Sequence, residues 1–148
     1  MVPSKATATQ SRQTAVLPKA TSQGHVLIVD DETSVRDFLD LVLRNAGYVT
    51  ARAMNGPEAL DMAEQFGPFD LLVTDEMMPK MEGHVLAEKL REREPWVKVL
   101  YLTGFSERLF AVKGSWCDDE AFLDKPSSVH GLLEAVSQLL GKKAAKES

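Results

Sequence analysis

HVLIVDDETSVRDFLDLVLRNAGYVTARA, residues 25–53, decides the fold. HVLIV (25–29) is a β-branched and apolar run of strand length, with no polar residue after His25 to face water. From about Ser34 to Ala46, Val35, Phe38, Leu39, Val42 and Leu43 recur at the spacing of one helical face. Thr33 or Ser34 is expected to cap that helix, because a hydroxyl there satisfies an amide that has no partner within the helix. Gly47 closes it, and YVTARA (48–53) reads as a second strand. A strand buried on both faces, a helix and another strand make a βαβ unit, and the helix must cross over the sheet.

The same alternation continues to the end of the chain. Gly56-Pro57 opens a helix through Leu60, Ala63 and Phe66. DLLVTD (70–75) is a third strand, and Gly83 begins a helix carrying Val85, Leu86 and Leu90. VKVLYLT (97–103) is a fourth strand, with Trp96 before it at the bottom edge of the sheet. A short helix covers Glu107 to Val112 and ends at Gly114. AFLD (121–124) is a fifth strand, and Ser127 or Ser128 caps a last helix with Leu132, Leu133, Val136, Leu139 and Leu140. The order is (βα)5, which predicts an α/β doubly wound three-layer sandwich around a five-stranded parallel sheet.

Three segments are expected: a flexible extension over 1–24, a folded domain over 25–141 and a short tail over 142–148. The extension is rich in Ser, Thr, Ala and Gln and lacks periodicity. It holds Lys5, Arg12 and Lys19 and no acid, so of the net charge of −5 it leaves −8 on residues 25–148. That acidity argues against nucleic acid as a partner, since phosphate backbones are bound by clustered Lys and Arg. No apolar run reaches a membrane span. The single cysteine, Cys117, excludes a disulfide within the chain, and a cytoplasmic location is expected.

All strands of a parallel sheet present their carboxyl ends on one edge, where ligands bind. Strand one ends in Asp30-Asp31, strand three in Asp75 and strand four in Thr103-Gly104; strand five leads into Lys125-Pro126. Three gathered carboxylates repel one another, and a hard divalent cation resolves the conflict. Oxygen ligands without His or Cys suit Mg²⁺, or Mn²⁺. Lys125 and Thr103 supply an ammonium and a hydroxyl for the oxygens of a phosphoryl group, while Gly104 leaves room for it.

These motifs, VDD (29–31), TDEMMPKMEG (74–83), LTG (102–104) and FLDKP (122–126), resemble as a set the receiver domain of two-component response regulators, of the stand-alone, chemotaxis-regulator-like type. The resemblance spans roughly residues 24–141. It implies a flavodoxin-like strand order of 2-1-3-4-5. By that resemblance Asp75 is the phosphoacceptor, and Asp30, Asp31, Asp75 and the Met77 backbone carbonyl hold Mg²⁺. Thr103 and Lys125 contact the phosphoryl group, Phe122 is the switch aromatic, and the Lys125–Pro126 peptide is cis. The donor is a histidine kinase or a histidine phosphotransfer protein. Signalling then runs through another, unnamed protein or through onward transfer, so the chain is a signalling phosphoacceptor and not an enzyme in the ordinary sense. LTGFSE resembles receivers attached to hybrid histidine kinases. GSWCDDEA (114–121) departs from the family pattern ahead of strand five, and Trp116 within it is a candidate partner contact.

Two other functions suit a similar fold. An aspartate-nucleophile phosphatase needs a second Asp two positions after the first, where this chain has Met77. A nucleotide- or flavin-binding domain needs a phosphate-cradling loop after strand one, where this chain has DDET. His25, His84 and His130 lie apart without ligand spacing and read as structural or surface residues.

Overall fold

The computed structural model describes residues 24–104, 106–113, 118–125 and 127–147. The elements run β1 (His25–Val29), α1 (Thr33–Asn45), β2 (Val49–Ala53), α2 (Gly56–Phe66), β3 (Leu71–Thr74), α3 (Gly83–Arg93), β4 (Lys98–Thr103), α4 (Ser106–Val112), β5 (Glu120–Asp124) and α5 (Val129–Glu147). The five strands form one parallel sheet in the order β2-β1-β3-β4-β5, as expected. Most of the expected extension, Pro126 and the 114–117 part of the departing segment (Trp116 and Cys117 included) lie outside the described residues.

The apolar runs dictate the layers. Val26 and Ile28 of β1 face a core shared with Leu39 and Leu43 of α1 and with Leu132, Val136 and Leu139 of α5. Leu27 and Val29 face the opposite core, with Ala59 and Ala63 of α2 and Leu86 and Leu90 of α3. Strands β3 and β4 divide the same way, Leu72, Val99 and Tyr101 to one side and Leu71, Val73, Leu100 and Leu102 to the other. The period of two along a strand thus serves two cores at once, which is why these strands read as unbroken apolar runs. The edge strands β2 and β5 are only partly buried.

Local details correct three expectations. Neither Thr33 nor Ser34 caps α1: the helix begins at Thr33 and its cap position is Glu32, whose side chain makes no capping bond. The Thr33 hydroxyl accepts a hydrogen bond from Arg36 instead. Phe38, on the expected buried stripe, is 38% exposed, and the burial of α1 rests on Leu39 and Leu43. The last helix continues through the expected tail to Glu147. Ser128 does cap it, accepting from Gly131 N at 2.9 Å. Trp96 lies half-exposed below the sheet and donates to the Phe69 carbonyl. At Gly47 the turn from α1 to β2 takes φ to 100°, the left-handed region that favours glycine.

Candidate functional site

The sheet register brings the expected polar residues to one edge. β1 pairs Val29 with Thr74 of β3, so Asp30 and Asp75 leave adjacent strands at the same level. Asp75 N donates to Val29 O and Asp30 N to Ala53 O, which extends the ladder one step beyond each strand. On the other side, Thr103 pairs with Asp124 across β4 and β5, and Lys125 N donates to Thr103 O at 2.9 Å. Backbone pairing therefore carries Lys125 to the level of the acids.

Lys125 Nζ donates to Asp30 Oδ2 at 2.7 Å and to Asp75 Oδ2 at 3.0 Å. Glu32 Oε1, which the sequence reading did not include, lies 3.6 Å from the same ammonium. Asp30 is 1% exposed and Asp75 7%, whereas Asp31 is open to solvent. One carboxylate oxygen from each of Asp30, Asp31 and Asp75 lies within 4.8 Å of the other two. Backbone amides complete the acceptors: Glu32 N donates to Asp30 Oδ1 at 2.9 Å and Met77 N to Asp75 Oδ1 at 3.3 Å. Arg36 Nη1 donates to the Asp30 carbonyl and steadies the loop from α1.

Burial pushes the Asp30 carboxyl above the ordinary aspartate range, although Lys125 and the Glu32 amide favour its ionised form. Burial by itself lowers the Lys125 ammonium, but its bonds to Asp30 and Asp75 more than offset this and hold it above the ordinary lysine value. The Asp30 shift thus reflects chiefly its burial, and the Lys125 shift the sharing of one ammonium between two carboxylates. Three carboxylates without His or Cys form an oxygen-only donor set, which fits a hard dication such as Mg²⁺.

Thr103 is fully buried at the end of β4, while the space a side chain would need at Gly104 is open, as expected. Phe122 is partly buried against the core below α2 and α3, and its ring meets Phe110 of α4 edge-on at 4.8 Å between centroids. The expected cis Lys125–Pro126 peptide lies outside the described residues. A cavity of about 450 Å³, lined by Glu32, Val35, Phe38, Leu102, Lys125 and others, opens beside the acidic cluster.

The sequence reading missed the role of His84. Its Nδ1 lies 2.6 Å from Glu76 Oε2, and its backbone N–H donates to Glu76 Oε1 at 2.8 Å. The residues are eight apart across a loop, a spacing that no periodicity reveals. The hint was a charged residue directly after a buried strand and a histidine in the first turn of the next helix.

Comparison with known proteins agrees with this geometry. The response regulator receiver domain profile matches residues 26–137. The sensor kinase CckA of Brucella abortus is 36% identical over 118 residues, 79% of this chain but only 12% of that protein. The response regulator receiver protein CpdR of the same organism is 31% identical over 115 residues, 78% of this chain and 95% of CpdR. The crystal structure of the response regulator TrrA from Thermotoga maritima, in complex with Mg²⁺–BeF, superposes with a TM-score of 0.68 at 31% identity, covering 78% of this chain and 97% of that one. With the fold, the clustered acids and lysine and these matches in agreement, the chain belongs to the response regulator receiver domain family of two-component systems.

Proposed function

We propose that Asp75 is the phosphoacceptor of this receiver domain, in a Mg²⁺-dependent reaction. The observation that carries this reading is the sharing of one ammonium, Lys125, between two buried carboxylates at 2.7 and 3.0 Å. Such a site is held together by positive charge and lies open toward solvent at Asp31. Asp30, Asp31 and Asp75 would hold the metal, with the Met77 carbonyl as a further oxygen. Bound there, Mg²⁺ would neutralise charge on the phosphoryl oxygens. A metal here is supported by the relative TrrA, whose structure is a complex with Mg²⁺–BeF.

The chain's own residues account for the rest. An Asp75 carboxylate oxygen attacks phosphorus in line, forming a P–O bond as the P–N bond of a donor phosphohistidine breaks. The leaving imidazole keeps the bonding pair and takes up a proton. Lys125 turns from the carboxylates toward the transferring group, and Thr103 donates from the end of β4. The acyl phosphate draws Thr103 inward and biases Phe122 between two positions, which passes the state to α4 and β5. The donor is a histidine kinase or phosphotransfer protein, and the output is a protein contact or onward transfer. The chain acts as a phosphoacceptor and does not turn over a separate substrate.

The test is radiolabelling with acetyl phosphate or a kinase. Wild type takes label with Mg²⁺ and none when EDTA is present from the start, and Asp75→Asn takes none. Equal labelling of Asp75→Asn sinks the assignment.

A further inference from the structure

Glu76 immediately follows Asp75, and its side chain is fully buried. A buried carboxylate needs partners, and the two described for this one both come from His84, through the backbone amide to Oε1 and ring Nδ1 to Oε2. The Glu76 carbonyl also accepts from Gly83 N at 3.0 Å. The first two amides of α3 are therefore both satisfied by Glu76, while the residue at the cap position, Glu82, makes no capping bond. Gly83 brings the helix so close that a Cβ there would collide with the Asp75 carbonyl oxygen. Residues 76–84 form a loop closed on itself, with Asp75 at its root and α3 as its anchor.

We propose that the Glu76–His84 pair is a clamp that positions the Asp75 carboxylate for phosphoryl transfer. This rests on the reading of Asp75 as phosphoacceptor. The orientation of Asp75 depends on its neighbours in the loop: Met77 N donates to Oδ1, and the peptide joining Asp75 to Glu76 lies against the start of α3. Glu76 holds that segment in place from the far side. Without the clamp Lys125 still reaches its carboxylates, because Lys125 is placed by β4 and β5. Release of the loop then acts on the angle of attack more than on binding of the phosphodonor.

Acetyl phosphate kinetics at saturating Mg²⁺ provide the test, with wild type, His84→Ala, His84→Asn and Glu76→Gln. His84→Ala keeps both backbone bonds of the α3 start, so the fold is retained; circular dichroism checks this, and His84→Ser is the substitute should it fail. His84→Ala is expected to lower the maximal rate about tenfold while the apparent KM changes less than about threefold. His84→Asn, whose amide N–H takes the place of Nδ1–H, restores the rate. Glu76→Gln retains it, because the amide still accepts from the His84 backbone and pairs with the other imidazole tautomer. A folded His84→Ala protein with the wild-type rate overturns the clamp, as does a loss confined to KM or one that asparagine does not rescue. Absence of label on the wild type removes the Asp75 reading, whereas a labelled wild type with an unaffected His84→Ala removes the clamp alone.

Discussion

Replacing Lys125 with methionine keeps the aliphatic stem and deletes the charge that holds the site together. Two charge-assisted bonds, at 2.7 and 3.0 Å, are lost, and Asp30 at 1% and Asp75 at 7% exposure are left without their cation. Stripping one partner from a buried ion pair typically costs about 3–5 kcal/mol. Here the Lys125 side chain is 17% exposed and the Asp30 carboxyl can take up a proton, so we expect a loss of about 2–3 kcal/mol in the metal-free protein. Magnesium should reverse the effect. In the wild type the ammonium and a dication compete for the same carboxylates, and unit charges about 4 Å apart interact by roughly 4 kcal/mol at a near-surface effective dielectric. Even after Lys125 swings aside, its removal should tighten Mg²⁺ binding by about tenfold or more, equivalent to about 1.4 kcal/mol. Urea unfolding with EDTA and with saturating Mg²⁺, together with titration calorimetry, reads both effects. The reasoning is refuted if metal-free Lys125→Met matches the wild type in stability, or if its affinity for Mg²⁺ is unchanged or weaker.

Asp30 has a raised folded-state carboxyl, so its contribution to stability is complete below the unfolded aspartate value and is lost as pH rises through the folded one. Asp30→Asn should therefore raise the Tm of the metal-free protein at neutral pH and abolish its stabilisation by Mg²⁺, as differential scanning calorimetry can check. Lys125 is raised above the ordinary lysine value, so its contribution is present below that value and fades as pH climbs through the folded one. Alkaline melts of the metal-free protein should show a late loss that Lys125→Met lacks. Gly83→Ala places a methyl against the Asp75 carbonyl and should cost about 2 kcal/mol or more in urea unfolding. Leu100→Ala, in the fully buried centre of β4, should cost about 2–5 kcal/mol while leaving the midpoint for Mg²⁺ binding unchanged.

The fold was legible because its central strands face two cores. Val26 to Val29 and Lys98 to Thr103 are buried along their whole length, so their composition carries no solvent face to confuse the reading. The site was legible for a related reason: Asp30, Asp75 and Thr103 stand at the ends of apolar runs, and a parallel sheet sends all such ends to one edge. Phe38 was misjudged because periodicity reports the face of a helix but not where the sheet beneath it ends. The cap of α1 was misplaced because Asp30 draws the Glu32 amide toward the site and starts the helix one residue early. The Glu76–His84 pair depends on a loop path, and a loop path has no period to read.

The most direct measurement is the chemical identity of the modified residue. After incubation with acetyl phosphate and Mg²⁺, borohydride reduces an aspartyl phosphate to homoserine, which peptide mass spectrometry locates within the chain. Homoserine at position 75, missing when EDTA is present, is the predicted result. Homoserine at another acidic position, or an unaltered Asp75 in a protein that has taken up phosphate, would contradict the account.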